Sequence, residues 1–510
     1  MMKKTLVSCL VVLVGLCSRA DFEVYFLRHG ETTWNRARLL QGSVAETRLT
    51  PKGEAMAVAT AEGLVQAGIS FDRVYSSPYL RAWRTAELVA EKGGFGRPVR
   101  EPRIREMCFG RYEGVKYAKG KYADDNLRKF FEGEEGYVPQ GEGAESFVQV
   151  QARVRDFLER ELKPLDGKVT RVLCVAHSLV LRSLVRELAG DAAPATAKKT
   201  LQPNCCVHVV KYANGTFALK DTGRIFYDPA AFDASSGPLM VAHRGAGDLT
   251  MPEASCSAYS NAVLSANDVV KLDLQRTKDG VIVMGHDPTL RRVMGWDVQI
   301  KGLTYPEIFE KGRFLVGKRK GDMRIVRLDQ ALAITRMVPE FWIDFKHFDP
   351  AFAECVLAEF RKAGIGLSRM MVATFSEPAL TYFQAHHPDI RRVGHIWLAH
   401  GNDGTWTASC GGKRKFASKA ETMESVFEYC RRLGLFGVNM PVRDRLTTAE
   451  DVQALKERGL WVSLWFVQNM KTADEFSASG ADAYVTDFVS KLRARGPCLK
   501  SLACPCSKAD

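Results

Sequence analysis

No stretch of this 510-residue chain is long and apolar enough to cross a bilayer: the longest apolar run, residues 6–16, covers about eleven positions where ~20 are needed. No transmembrane segment is therefore expected in the mature chain. There is also no dense lysine and arginine tract with interleaved aromatics, although basic residues outnumber acidic ones by 72 to 59. The net charge of +13 thus argues for phosphorylated small molecules or a phospholipid surface as partners, and against nucleic acid. No histidine accompanies Cys498, Cys504 and Cys506 in the tail, so a disulfide that pins the terminus is expected there before a metal site. Gly245-Ala246-Gly247 has neither the helix pattern nor the distal acid of a dinucleotide-binding loop.

What is present begins with an export signal. Met1-Met2-Lys3-Lys4 precedes the apolar run, and Ser18 and Ala20 place small residues at the third-last and last positions before a cleavage point. Cleavage after Ala20 starts the mature chain at Asp21, in a periplasmic or extracellular compartment that is oxidising. Thirteen cysteines fall to eleven once Cys9 and Cys17 leave with the signal, an odd count that leaves at least one thiol free or paired between chains. Cys174, Cys205 and Cys206 lie in apolar runs and are expected in the core.

With 46% hydrophobic and 26% charged residues the chain can bury real cores, and its length calls for two or three of them. From 21 to 222, strand-like runs (23–27, 172–176) alternate with amphipathic helical ones. Thr50-Pro51 opens a helix that Gly68 can close, and Phe147, Val150, Val154, Phe157 and Leu158 recur at helical spacing. This alternation predicts a three-layer α/β sandwich. Residues 223–237, with Asp-Pro and Ser-Ser-Gly, read as a linker. From 238 to 495, strands are predicted at 239–242, 269–274, 341–345, 370–374, 392–396, 436–440, 461–466 and 483–486. Their crossover-length connections predict a (β/α)₈ barrel, the TIM-barrel architecture. Residues 281–284 form an extra strand, joined to its predecessor by the tight turn Thr277-Lys278-Asp279-Gly280. The segment 400–419 reads as an insertion loop, and 496–510 as the cysteine-containing tail.

Two sets of residues carry chemistry. The first opens with Arg28-His29-Gly30, at the carboxyl end of a predicted strand, where open α/β sheets place their sites. A neutral imidazole attacks phosphorus and carries the phosphoryl group, provided cations hold the phosphate oxygens. Arg28 is adjacent, and Gly30 lets backbone approach the anion. Arg81 sits in Ser77-Pro78-Tyr79-Leu80-Arg81, the predicted first turn of a helix capped by Ser77. His177 ends a second strand, and Glu106 can protonate a leaving oxygen. These residues, with Asn35, Gln41-Gly42, Leu49-Thr50-Pro51-Lys52-Gly53, Thr85-Ala86 and Glu113-Gly114, resemble the histidine phosphatase superfamily, which includes phosphoglycerate mutases and broad phosphatases. The resemblance implies that His29 is the phosphorylated nucleophile, that Arg28, Asn35, Arg81 and His177 hold phosphate, and that Glu106 is the proton donor. It implies no cofactor. Ser178 stands where the family usually has glycine. The context Phe109-Gly110-Arg111-Tyr112-Glu113-Gly114 resembles the phosphatases more than the mutases.

The second set is Ala242-His243-Arg244-Gly245, Pro252-Glu253, Lys271-Leu272-Asp273, Gly285-His286-Asp287, Asp344 and Lys346. Two histidines on neighbouring strands suit acid–base work on a phosphodiester, and Asp273 and Asp344 are oxygen donors suited to Ca²⁺ or Mg²⁺. Lys346, two residues past Asp344, points the same way and can meet phosphate, as can Arg244. With Trp465 and Ala483-Tyr484-Val485-Thr486-Asp487, this set resembles the glycerophosphodiester phosphodiesterases. The resemblance implies that His243 and His286 are catalytic. It also implies a metal held by an acid–x–acid pair, whose second member is Asp273, and by Asp344.

Here the first member of that pair is Lys271, and Ala254 replaces the family's asparagine. Three readings stay open: the ammonium takes the cation's place, a metal binds weakly through Asp273, Asp344 and Glu253, or hydrolysis is lost and the barrel only binds an anion. The expectation is an exported two-domain phosphoesterase acting on small phosphomonoesters and glycerophosphodiesters. The alternative is one phosphatase carried on a silent barrel that binds phospholipid or another anionic ligand.

Overall fold

The computed structural model describes residues 21–117, 124–132, 140–189, 202–233, 237–245, 251–316, 319–320, 323–489 and 492. The export signal at 1–20, Ala246-Gly247 and the tail cysteines lie outside them. Two α/β bodies follow one another along the chain.

The first is built on a sheet of β1 (Phe22–Arg28), β2 (Arg73–Ser76), β3 (Val99–Arg100), β4 (Arg171–Ala176), β5 (Val207–Ala213) and β6 (Thr216–Arg224), in the spatial order β3-β2-β4-β1-β5-β6. β1 runs parallel to β4 and antiparallel to β5. Side-chain alternation divides the core. Val24, Phe26, Val172 and Cys174 pack on one face, under the helix Phe147–Phe157 and the helix Ser178–Ala189. Tyr25, Leu27, Leu173 and Val175 pack on the other, covered by α2 (Pro51–Gln66) and α3 (Leu80–Gly93), while the short α1 (Thr33–Ala37) follows β1 in the chain. This is the expected three-layer sandwich, and Cys174, Cys205 and Cys206 are buried in it.

α2 starts as expected: Thr50 accepts from Gly53 N–H and Pro51 takes the first position. α3 does not. Its cap residue is Tyr79, with no side-chain cap bond, because Pro78 holds Ser77 outside the helix, where its hydroxyl accepts from Tyr79 N–H at 3.3 Å and meets His177. The linker expectation is also corrected. β6 runs through Arg224, and Phe226, Tyr227 and Phe232 pack against the core under α2 and α3. Those three aromatics give the segment apolar area to bury, which a free linker lacks.

The second body is an eight-stranded parallel barrel. Its staves are β7 (Leu239–Ala242), β8 (Val269–Arg276), β12 (Glu340–Phe345), β13 (Met370–Thr374), β14 (Arg391–His395), β18 (Gly437–Pro441), β19 (Trp461–Trp465) and β20 (Ala483–Thr486), and β8 pairing with β12 closes the ring. β9 (Ile282–Met284) folds back antiparallel on β8 as the expected hairpin, and a small hairpin joins β10 (Leu315–Val316) to β11 (Arg319–Lys320). Val241, Val269, Trp342, Met371, Val393 and Val485 fill the lumen, whereas Val270, Leu272, Phe341 and Ile343 face the outer helices. The insertion at 400–419 is not a loop. β15 (Leu398–His400), β16 (Trp406–Ser409) and β17 (Lys413–Phe416) form an antiparallel sheet in which Trp406 lies opposite both His400 and Phe416. Buried Ala408 and Leu398 pair across it and seat it on the barrel's core.

The two bodies touch where α1 meets the amino-terminal rim of the barrel. Trp34 Nε1 donates to Met337 O at 2.9 Å, and the Arg369 guanidinium lies 5.2 Å from the Trp34 ring centre. Arg36 donates to both carboxylate oxygens of Asp268, at 3.3 and 3.4 Å, and to Gly237 O at 2.7 Å. Lys116 pairs with Glu340 at 2.8 Å.

Candidate active sites

At the carboxyl end of β1, His29 is buried, and its Nδ1 lies 2.8 Å from Gly30 O. A carbonyl only accepts, so Nδ1 carries the proton and the Nε2 lone pair is left for attack. Burial, with Arg81 and Arg28 beside it, holds the imidazole well below the usual histidine range, so His29 is neutral. The His177 ring centre is 5.1 Å from that of His29, and His177 is held neutral by the same causes. Its Nε2 lies 2.8 Å from Ser77 Oγ.

Arg81 is wholly buried. It donates to Val44 O at 2.6 Å, Thr47 Oγ1 at 3.1 Å and Gly42 O at 2.7 Å, which fixes the 42–47 loop over the pocket, and burial pulls its pKa down to about 10. Arg28 donates to Gln202 O. Glu106 accepts from Met107 N–H at 3.0 Å and Leu179 N–H at 3.3 Å, yet burial outweighs both and raises its carboxyl above the usual range. Asn35 uses Oδ1 twice, in the capping box of α1 and toward Asn204 Nδ2 at 3.2 Å. Arg28, Arg81 and His177 thus lie beside His29, Arg81 acts on Glu106 as well, and Asn35 is tied to the His29 backbone through Asn204.

Gly30 has a different reason from the expected one. A Cβ there would stand 2.4 Å from Gly53 O, and a Cβ on Gly53 would stand 2.0 Å from Glu31 O. The two glycines let the start of α2 press against the His29 turn. Asn204 was missed by sequence reasoning: its Nδ2 also donates to His29 O at 2.9 Å. The only signal was an asparagine between Pro203 and a strand.

In the barrel, alternation puts His243, Lys271, Asp273, Asp344, Lys346 and His395 on the lumen side of the staves' carboxyl ends. His243 Nδ1 pairs with Asp487 Oδ1 at 2.8 Å, and His286 Nδ1 with Asp287 Oδ1 at 2.7 Å. A carboxylate so placed keeps the proton on Nδ1 and leaves Nε2 free for proton transfer. Burial lowers both histidines from the usual range.

Of the expected metal ligands, Asp273 and Asp344 are brought together, but around two ammonium groups. Lys271 bonds Asp273 and also Asp344, the latter at 2.8 Å. Lys346 bonds the same two carboxylates, at 2.8 and 2.7 Å. Burial opposes ionisation of Asp273 and Asp344, but the two ammonium groups win and hold both below the usual carboxylate range. Glu253 stands apart, held by Arg244 at 2.7 Å and by Arg292 at 2.6 Å. Among the described residues no three His, Cys, Asp or Glu side chains could hold a metal ion. The donor set does not fit one, because each acid already faces cations. Lys346, expected to meet phosphate, spends two of its three hydrogens on the acid pair and keeps one. His395, Asn439 and Asp487 complete the lumen: His395 Nδ1 lies 3.1 Å from Asn439 Nδ2, and burial lowers His395 to about 3. His395 was overlooked, though its place two residues past inward Val393 marked it.

Comparison with known proteins agrees with this division. Residues 24–224 match the family model of the histidine phosphatase superfamily (branch 1), and residues 243–491 match that of the glycerophosphoryl diester phosphodiesterase family. A protein of Erwinia tasmaniensis named "Probable phosphoglycerate mutase GpmB" is 35% identical over 193 residues, which are 37% of this chain and 85% of that one. An Oleispira antarctica phosphodiesterase structure in complex with sn-glycerol-3-phosphate is 19% identical with a TM-score of 0.41, covering 52% of this chain and 98% of that one. A glycerophosphodiester phosphodiesterase structure from Agrobacterium tumefaciens is 21% identical with a TM-score of 0.39, covering 50% and 99%. The chain is thus a member of the histidine phosphatase superfamily through its first domain, fused to a glycerophosphodiester phosphodiesterase-like barrel.

Proposed function

We propose that the first domain hydrolyses small phosphomonoesters through a phosphohistidine at His29. The observation that carries this is the free Nε2 of a neutral His29, set among Arg28, Arg81, His177 and a protonatable Glu106. Nε2 attacks phosphorus as the ester P–O bond breaks, and the Glu106 carboxyl passes its proton to the departing oxygen. Water then attacks phosphorus and gives a proton to the Glu106 carboxylate, the N–P bond breaks with its electron pair returning to Nε2, and inorganic phosphate leaves. Arg28, Arg81, His177 and the Asn35 amide hold the three phosphoryl oxygens. No metal enters this scheme. Acid-stable trapping is unsuited to phosphohistidine, so the test is alkaline quench with labelled monoester: label on the wild type and none on His29→Ala supports it. Unchanged turnover in His29→Ala refutes it.

For the barrel, the paired His243–Asp487 and His286–Asp287 support cleavage of glycerophosphodiesters to glycerol phosphate, which the first domain then dephosphorylates. The lysines on the acid pair favour a second reading, a barrel that binds an anionic ligand or phospholipid surface without cutting it. Product analysis with a glycerophosphodiester separates them: alcohol and free phosphate support the tandem enzyme, activity on monoesters alone the second. Export completes the proposal, placing the pair where it meets external phosphoesters.

A further inference from the structure

The place where the barrel departs from its family's metal site is also where its charges are best defined. Lys271 and Lys346 each bridge Asp273 and Asp344, and Lys271, Asp273 and Asp344 are all nearly inaccessible to solvent. Two cations and two anions make a neutral cluster. An acid in place of Lys271 together with a divalent ion would contribute one net positive charge, the same as the lysine alone. We propose that the Lys271 ammonium replaces an acid-plus-cation unit, so that the barrel holds a phosphodiester monoanion without metal.

The donors are present. An ammonium has three hydrogens and each lysine uses two on the acid pair, so one remains on each for a phosphate oxygen. Arg244 Nε is buried without a hydrogen-bond partner and lies 3.9 Å from Asp273 Oδ2, at the edge of the cluster. It is a donor that an anion at this position would satisfy. A divalent ion entering the cluster would instead meet two ammonium groups already seated on its carboxylates. The side chains cannot turn aside, since Lys271 and Asp273 are two apart on β8 and share the lumen face.

The inference rests on the barrel's reading as a phosphodiester site, but it concerns binding, so a silent barrel that binds still satisfies it. The test is calorimetry on the full chain with sn-glycero-3-phosphocholine as probe, in EDTA and in CaCl₂, beside direct titration with CaCl₂. The wild type is expected to bind the diester equally in both and to take up no Ca²⁺. Lys271→Met is expected to weaken diester binding about 10- to 10²-fold, the worth of one charge-assisted hydrogen bond, and Lys271→Arg to retain most of it. Lys271→Glu is expected to bind Ca²⁺ and to need it for the diester, a gain that misfolding would not produce. Ca²⁺ uptake by the wild type, loss of its diester binding in EDTA, undiminished binding by Lys271→Met, or no diester binding at all would each overturn the proposal. Binding without hydrolysis would leave it standing and overturn only the tandem-enzyme reading.

Discussion

Glu106→Gln tests the phosphatase scheme at its least replaceable step. The carboxyl accepts two backbone N–H groups, at 3.0 and 3.3 Å, and both favour its charged form. Burial nevertheless raises it above the usual carboxylate range, as a proton donor requires. Glutamine keeps one acceptor and turns an NH₂ toward the other N–H, a stability cost of about 1–2 kcal/mol. The catalytic loss should be larger and should depend on the leaving group. Proton donation is worth about 10²–10⁴-fold, so an alkyl phosphate should slow by that much. A nitrophenyl phosphate, whose phenolate departs unaided, should lose roughly tenfold or less by the same reasoning. The pH profile of kcat/KM gives a second reading. Activity should rise as His29 deprotonates, well below pH 6.5, and fall as Glu106 loses its proton above 4.5, giving an acidic optimum. The alkaline limb should vanish in Glu106→Gln. Equal losses for both leaving groups with an unchanged limb would show that Glu106 serves only to cap Met107 and Leu179.

Three further outcomes are expected. Gly53→Ala puts a methyl 2.0 Å from Glu31 O, so denaturant unfolding should show a loss of about 1–3 kcal/mol, with kcat/KM falling because the His29 turn must move. Arg36→Ala leaves Asp268 without its cross-domain partner, and a single thermal transition should split into two in calorimetry; an unchanged melt would show that the contact contributes nothing. Exported protein should begin at Asp21 by amino-terminal sequencing, one residue before β1, and a retained Met1 on membrane-bound protein would refute the signal reading.

Both architectures were legible because their strands are short apolar runs between helix-length connections. β7 and β20 end where polar residues follow, at His243 and Asp487. The insertion at 398–416 was not legible, since its strands have three or four residues each and glycine-containing turns. Its pairing is fixed by Leu398 and Ala408 seating on the barrel, a tertiary contact with no local periodicity. The cap of α3 failed for a related reason: Ser77 has the right chemistry, but it stands two residues before the cap position, where its hydroxyl serves Tyr79 N–H and His177, a hundred residues away in sequence. The candidate histidines and acids were readable from motif and strand position. Their partners Asn204, Asp487 and His395 were less so, because what defines them is the neighbour across the sheet.

The docking of the two bodies bears on how a tandem reaction would run. Asp268, Met337 and Glu340, which meet the phosphatase domain, lie at the amino-terminal ends of β8 and β12. Asp344, four residues along β12 from Glu340, belongs to the lumen cluster at the other end, about 13 Å away at ~3.3 Å per residue. The interval is filled by Trp342, Val269 and Val241, which close the lumen. A glycerol phosphate released at the barrel's mouth cannot pass through the barrel to His29 and must leave into solvent first. The fusion therefore supplies proximity without a tunnel. What the barrel gives the first domain directly is mechanical: α1 has only five residues, too few to hold a helix unaided, and Trp34 and Arg36 anchor it while Asn35 between them meets Asn204, which bonds His29 O.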